Sequence, residues 1–274
     1  MEKNTKDIFL LKDKIQSKSQ HFIYICPKLN HMKYSFLAFL LLIFSACQTT
    51  KIKNNNYKIS VTAPELGSLG QAKSSLNLQN DFSTRTFPKL ENKIRVAVEV
   101  VPYNKKLNKI YAAKAKFNQN QTKVVYTDSL PTKPEIVTIQ ILDVTGFVNE
   151  LNADYNKEVF RVINDLQSLE IVSSIAVNLS TTDIAKIRLA DSYYLTNVLD
   201  KKYTLTLFKQ GKKVESIDLT SGTILGYRLS KFCWAETARG KWYIADMVAN
   251  NSSCKGTTST KAKNKKKEEN LFKM

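Results

Sequence analysis

From Lys93 onward the chain alternates. Ile94, Val96, Val98 and Val100 interleave with Arg95, Ala97 and Glu99, a period of two that gives a strand one apolar face. Residues 110–117 read as a second strand, with Tyr111, Ala113, Ala115 and Phe117 on one side and Lys114 and Lys116 on the other. Residues 123–127 and 136–142 read as further strands, divided by the breaker stretch from Pro131 to Pro134.

The period then lengthens to a helical one. Phe147, Leu151, Tyr155, Val159, Ile163 and Leu166 fall on one stripe, with Asn149, Glu150, Asn156 and Asp165 elsewhere. The spacing predicts a helix over 146–167, capped by Thr145, interrupted near 152–154, and covering a sheet. Residues 171–179 return to alternation. Residues 182–198 are ambiguous: Ile184, Ile187, Tyr194, Leu195 and Val198 suit a helix, but Asp191 would sit on its apolar face. The last third reads as an antiparallel meander. Residues 203–208 and 214–219 flank the turn Gln210-Gly211-Lys212, and residues 223–235 and 241–248 flank Ala238-Arg239-Gly240. The expectation is an α+β domain over 93–254: a mainly antiparallel sheet of about seven to nine strands with at least one packed amphipathic helix.

Residues 47–92 are rich in Asn, Ser and Gln with few sustained apolar patterns, and read as a flexible polar tether. Residues 255–274 are polar and basic, with Lys261, Lys263 and Lys265 to Lys267, and read as a disordered tail.

Upstream, residues 32–46 have the three parts of an export signal: Lys33, an apolar run from Phe36 to Phe44, and the small residues Ser45 and Ala46 before Cys47. The run is short of the roughly 20 residues a membrane-spanning helix needs. Phe44-Ser45-Ala46-Cys47 resembles the lipobox of bacterial lipoproteins, with Phe where Leu is commonest. The resemblance carries no fold information. It implies a diacylglyceryl group on the Cys47 sulfur, cleavage before Cys47 and acylation of the new amino group, so that two or more chains hold the protein to the bilayer. Gln48 is not the acidic inner-membrane retention residue, and no acid lies between Gln48 and Pro64. By resemblance, both point to the outer membrane and its periplasmic side. Residues 1–31, with Asp7, Asp13 and Cys26, read as an over-extended start before Met32 or as an N-terminal extension.

Both histidines, His21 and His31, precede Cys47. A mature chain therefore has no imidazole for Ser-His-Asp or Cys-His catalysis, nor for a His-ligated metal site. No cofactor is expected. Of four cysteines, Cys233 and Cys254 remain for a disulfide, the usual state of an isolated pair outside the cytoplasm. Their spacing is too wide for a redox-active CxxC pair.

Formal net charge is +18, from 42 basic and 24 acidic residues. Seven basic and three acidic residues precede Gln48, so the exported part retains +14. That balance suits anionic lipid, anionic glycan or nucleic acid, but the lysines are scattered, as on an evenly solvated surface. One segment interleaves aromatic and basic residues: Arg228, Trp234, Arg239, Lys241, Trp242 and Tyr243 form a candidate ligand surface. The simpler reading gives the tryptophans to the core. Asp143, Glu150, Asp154, Glu158, Asp183 and Asp191 could supply a glycosidase-type carboxylate pair, although no spacing singles out two of them. Asp128-Ser129-Leu130 resembles a short O-glycosylation sequon and serves equally as a loop. Neither GxGxxG nor a Walker motif occurs. Two functions are expected: first, a non-catalytic interaction or structural module of the envelope, contacting other envelope proteins or anionic glycan and lipid; second, a carboxylate-dependent hydrolase of surface polysaccharide. Nucleic acid is the weakest partner.

Overall fold

The structure, a computed structural model, describes residues 49–59, 62–72, 82–116, 122–198 and 202–262. The expected start, the export signal, Cys47, both histidines and the last twelve residues lie outside the described ones. In chain order the elements are β1 (Thr49–Ile52), β2 (Asn55–Lys58), β3 (Leu69–Ala72), β4 (Phe82–Thr86), β5 (Ile94–Pro102), α1 (Lys105–Ala115), β6 (Glu135–Ile141), α2 (Val144–Asn152), α3 (Lys157–Asp165) and β7 (Glu170–Asn178). They continue with α4 (Thr181–Leu189), β8 (Ser192–Val198), β9 (Lys202–Lys209), β10 (Lys212–Asp218), β11 (Thr223–Glu236) and β12 (Trp242–Ala249). The fold is α+β, with a mainly antiparallel sheet.

The sheet runs β1-β2-β11-β7-β6-β5-β8-β9-β10. It forks twice. β7 occupies one edge of β11, so β2 and β12 share the other: Lys58 pairs with Tyr227, and Ser230 to Glu236 pair with β12. On β7, the edge away from β11 is shared by β6 and by the β3–β4 hairpin, which meets Glu170 and Ile171. Twelve strands are present among the described residues, more than the pattern predicts. The last third is not one meander either: β8, β9 and β10 are consecutive neighbours, but β11 returns to the opposite part of the sheet.

The described residues belong to one compact unit, Gln48–Met274. Its large core joins Val137, Ile139, Ile175 and Val177 of the central strands to Phe147 and Leu151 of α2, Ile163 of α3 and Ile184 of α4. A smaller cluster comprises Val101, Ile136, Ala176 and Leu225, covered by Leu107 and Ile110 of α1 and by Ile52 and Tyr57 of the β1–β2 hairpin. Gly226 permits that cover, since a Cβ there would stand 2.9 Å from Tyr57 Cβ and 3.2 Å from the Lys58 carbonyl oxygen.

Three local expectations are corrected. The strand expected over 110–117 is helix α1, because Asn104 accepts from the Leu107 N–H as an N-cap, and Leu107, Ile110 and Lys114 recur at helical spacing on its buried side. Residues 123–127 are an irregular loop: Val124 donates its N–H to the Tyr111 hydroxyl instead of to a strand. The helix predicted over 146–167 does break as expected, at a 3-10 turn Asp154–Asn156, but its cap is Asp143, which accepts from the Gly146 N–H, and not Thr145. The 182–198 segment resolves into α4 and β8, with Asp191 in the connection, accepting from the Gln210 N–H and the Ser192 hydroxyl.

The tether reading of 47–92 is also overturned where residues are described. Four strands lie in it, and Leu66, Leu69, Phe82 and Leu90 are buried in the large core. The tail reading fails for its first residues. Ser259 exchanges backbone hydrogen bonds with Trp234, and Ala262 is buried, its carbonyl accepting from Gln167. Cys233 and Cys254 stand at disulfide-bonding distance, Cα to Cα 5.6 Å, and tie this returning segment to β11.

Candidate functional site

The β11–β12 hairpin places Trp234 opposite Ile244, Ala235 opposite Tyr243, and Glu236 opposite Trp242. Trp234 is 1% exposed and stands edge-on to Phe160, ring centroids 5.6 Å apart. Its indole is core, unable to stack on a ligand. Trp242 is half-buried against the same core, while Tyr243 is 39% exposed. Arg239 and Lys241 are exposed at the turn around Gly240, whose φ of 78° suits a residue without a Cβ. Arg228 lies six strand residues from Trp234, about 20 Å away. It donates to Gln140 at 3.3 Å and stands 5.9 Å from the Tyr57 ring centroid. The structure therefore does not bring the six residues into one surface.

The candidate carboxylates are held in structural roles. Asp143 caps α2. Glu150 is buried and accepts from the Glu91 and Asn92 backbone N–H groups, the Asn92 amide and the Tyr155 hydroxyl. Glu158 pairs with Arg161, and Asp183 accepts from Ser180. Asp154 opens the 3-10 turn and Asp191 ties the β8 start to the β9–β10 turn. Glu65 was not singled out by pattern. Burial raises its pKa, Lys202 opposes the rise, and the charge of Asp218 adds to it. Asp218, however, accepts from the Thr220 N–H and hydroxyl.

Two surface grooves are lined by described residues. The first, about 600 Å³, lies among the 122–135 loop, the end of β7 and α4. Val124, Leu130, Leu179 and Ile184 give it apolar walls, and its one carboxylate, Glu135, is clamped by Arg188 through contacts of 2.5 and 2.7 Å. The second, about 340 Å³, opens where β2 and β12 part on the shared edge of β11. It is lined by Asn54, Asn55, Asn56, Asn250 and Asn251, with Lys58 and Arg228 and no carboxylate. Neither groove holds the two carboxylates that glycoside hydrolysis requires, and neither Glu65 nor Asp218 lines either one. Arg228 was visible in the sequence as a candidate. Its groove was not, because no local signal pairs the asparagine run at 54–56 with residues 170 or more positions later.

Among the described residues no group of three or more His, Cys, Asp and Glu could hold a metal ion. No helix among them is long and apolar enough to cross a membrane. The turn carrying Asp128, Ser129 and Leu130 leaves Ser129 exposed, with Asp128 accepting from the Tyr126 hydroxyl at 2.7 Å. Comparison with known proteins finds no matching family model, no matching curated protein and no matching solved structure.

Proposed function

We propose that the protein is an envelope lipoprotein, acylated on Cys47, whose domain serves as a non-catalytic binding or structural module on the periplasmic face of the outer membrane. The observation that carries this reading is the layout from Met32 to Cys47, where basic residue, apolar run, small residues and cysteine fall in the order that export and lipid transfer need. The Cys233–Cys254 pair supports it, since a structural disulfide suits an oxidising compartment. The grooves favour binding over catalysis: both carry donors and apolar walls, and neither presents a carboxylate pair or an imidazole. Its partners in this reading are other envelope proteins or anionic glycan and lipid.

The test is fractionation after metabolic labelling with a fatty-acid analogue. Wild type carries label and sediments with membranes; Cys47→Ala loses the label. A wild-type protein without label contradicts the reading.

A further inference from the structure

Strands β8, β9 and β10 turn one row of side chains into the large core: Leu195, Leu205, Leu207 and Ile217 are each no more than 3% exposed. Alternation sends their neighbours to the opposite face. There Tyr194 and Phe208 stand edge-on, ring centroids 5.1 Å apart. Beside them a chain of hydroxyls crosses the three strands: Thr204 to Thr196 at 3.2 Å, Thr196 to Thr206 at 2.7 Å, and Thr206 to Ser216 at 3.3 Å. Helices α1 to α4 put their buried apolar residues into the two core clusters, and neither cluster includes Tyr194 or Phe208. Both rings are half-buried without being core.

Three cations share this face, placed there by register or by distance. Lys93 holds its ammonium 4.5 Å from both ring centroids. Arg95 pairs directly with Tyr194, and Lys213 with Phe208; residues opposite one another in an antiparallel ladder project to the same side. All three are exposed, and among the described residues none belongs to an ion pair. The two carboxylates of these strands are engaged elsewhere. Glu215, opposite Leu207 on the core side, pairs with Lys186, and Asp218, opposite Thr204, accepts from the Thr220 N–H and hydroxyl.

Each group suits one part of a single ligand. The negative face of an aromatic ring attracts the polarised C–H bonds of a sugar. Hydroxyls both donate and accept, as sugar hydroxyls do, and an ammonium held over a ring keeps N–H donors for an acidic oxygen. Neighbouring strands lie about 4.8 Å apart, so from β5 to β10 the face spans about 14 Å, room for a short run of sugar rings. The hydroxyl row favours a glycan over single-stranded nucleic acid, whose flat bases call for more open ring surface.

We infer that the face of β8, β9 and β10 turned away from the large core binds an anionic glycan, with sugar rings against Tyr194 and Phe208 and acidic groups against Lys93, Arg95 and Lys213. This names one partner for the binding module proposed above and rests on that reading, though not on acylation of Cys47.

The experiment applies full-length protein in detergent to an array of uronate-, phosphate- and sulfate-bearing glycans, with neutral glycans and a single-stranded oligonucleotide alongside. Acidic glycans are retained in preference to neutral ones, and high salt weakens the retention. Tyr194→Ala lowers affinity about tenfold, as loss of one stacking ring does. Arg95→Gln and Lys213→Gln each lower it about threefold, and being exposed they answer the question even should Tyr194→Ala disturb the sheet. An array that retains no acidic glycan overturns the inference. Retention that all three variants leave unchanged also overturns it, by moving the site elsewhere while the binding module stands. Equal retention of the oligonucleotide overturns it as well, by making the face a general polyanion surface. A retained glycan that shortens on standing supports the face and contradicts only the non-catalytic reading.

Discussion

The two faces of the central strands are closed in different ways. On one, α2, α3 and α4 lay Phe147, Leu151, Ile163 and Ile184 against Val137, Ile175 and Val177, and Trp234 completes the cover against Phe160. On the other, α1 and the β1–β2 hairpin cover only a handful of apolar residues and add polar ties. The Tyr57 and Ser174 hydroxyls meet at 3.1 Å, Lys53 pairs with Glu99 at 3.0 Å, and the Lys114 ammonium donates to the Thr62 carbonyl at 3.4 Å. The large face holds by apolar area. The small face is held by less area and more polar matching, so it is expected to open first.

Removing the largest buried side chain of the first face gives the largest effect. Trp234→Ala should lower unfolding free energy by about 3–5 kcal/mol, read as a shift of the denaturant midpoint. A loss of less than about 1 kcal/mol would show that the tryptophan is not core. On the second face, Leu107→Ala should cost about 2–3 kcal/mol, because the site is lined partly by a hairpin that can collapse inward. Hydrogen exchange should then accelerate at 49–58 and stay slow at 137–141. Uniform acceleration would erase the distinction between the faces.

The smallest effect depends on pH. Burial lowers the Lys114 pKa from 10.5 to about 8. Between those values the unfolded chain binds the proton that the folded chain has released, so stability rises with pH across that window, and the penalty for burying the charge is fully present below about pH 8. Lys114→Met should remove this component. The stability difference between variant and wild type should shrink as pH climbs through the window, and a pH-independent difference would contradict the assignment.

What the chain discloses locally follows the same division. β5, β6, β7 and the α2–α3 stripe bury regular apolar rows against sequence neighbours, and their periods are plain to read. The second face is assembled from distant segments whose own patterns are weak. β2 offers only Tyr57 as a buried residue, so its membership depends on Ser174 and Tyr227, more than a hundred residues on. The alanines of α1 fit a strand's alternation as well as a helix face, and the Asn104 cap with the spacing of Leu107, Ile110 and Lys114 decides between them. The candidate site was half legible for the same reason. Arg228 could be named from its aromatic neighbourhood, but the groove it lines exists only once β2 and β12 divide one edge of β11.

Mass measurement of the N-terminal peptide from membrane-extracted protein is the most direct check on the whole account. It should start at a cysteine carrying a thioether-linked diacylglyceryl group, with Gln48 and Thr49 following. A peptide that reads through that position from upstream residues, with the thiol free, contradicts the anchor.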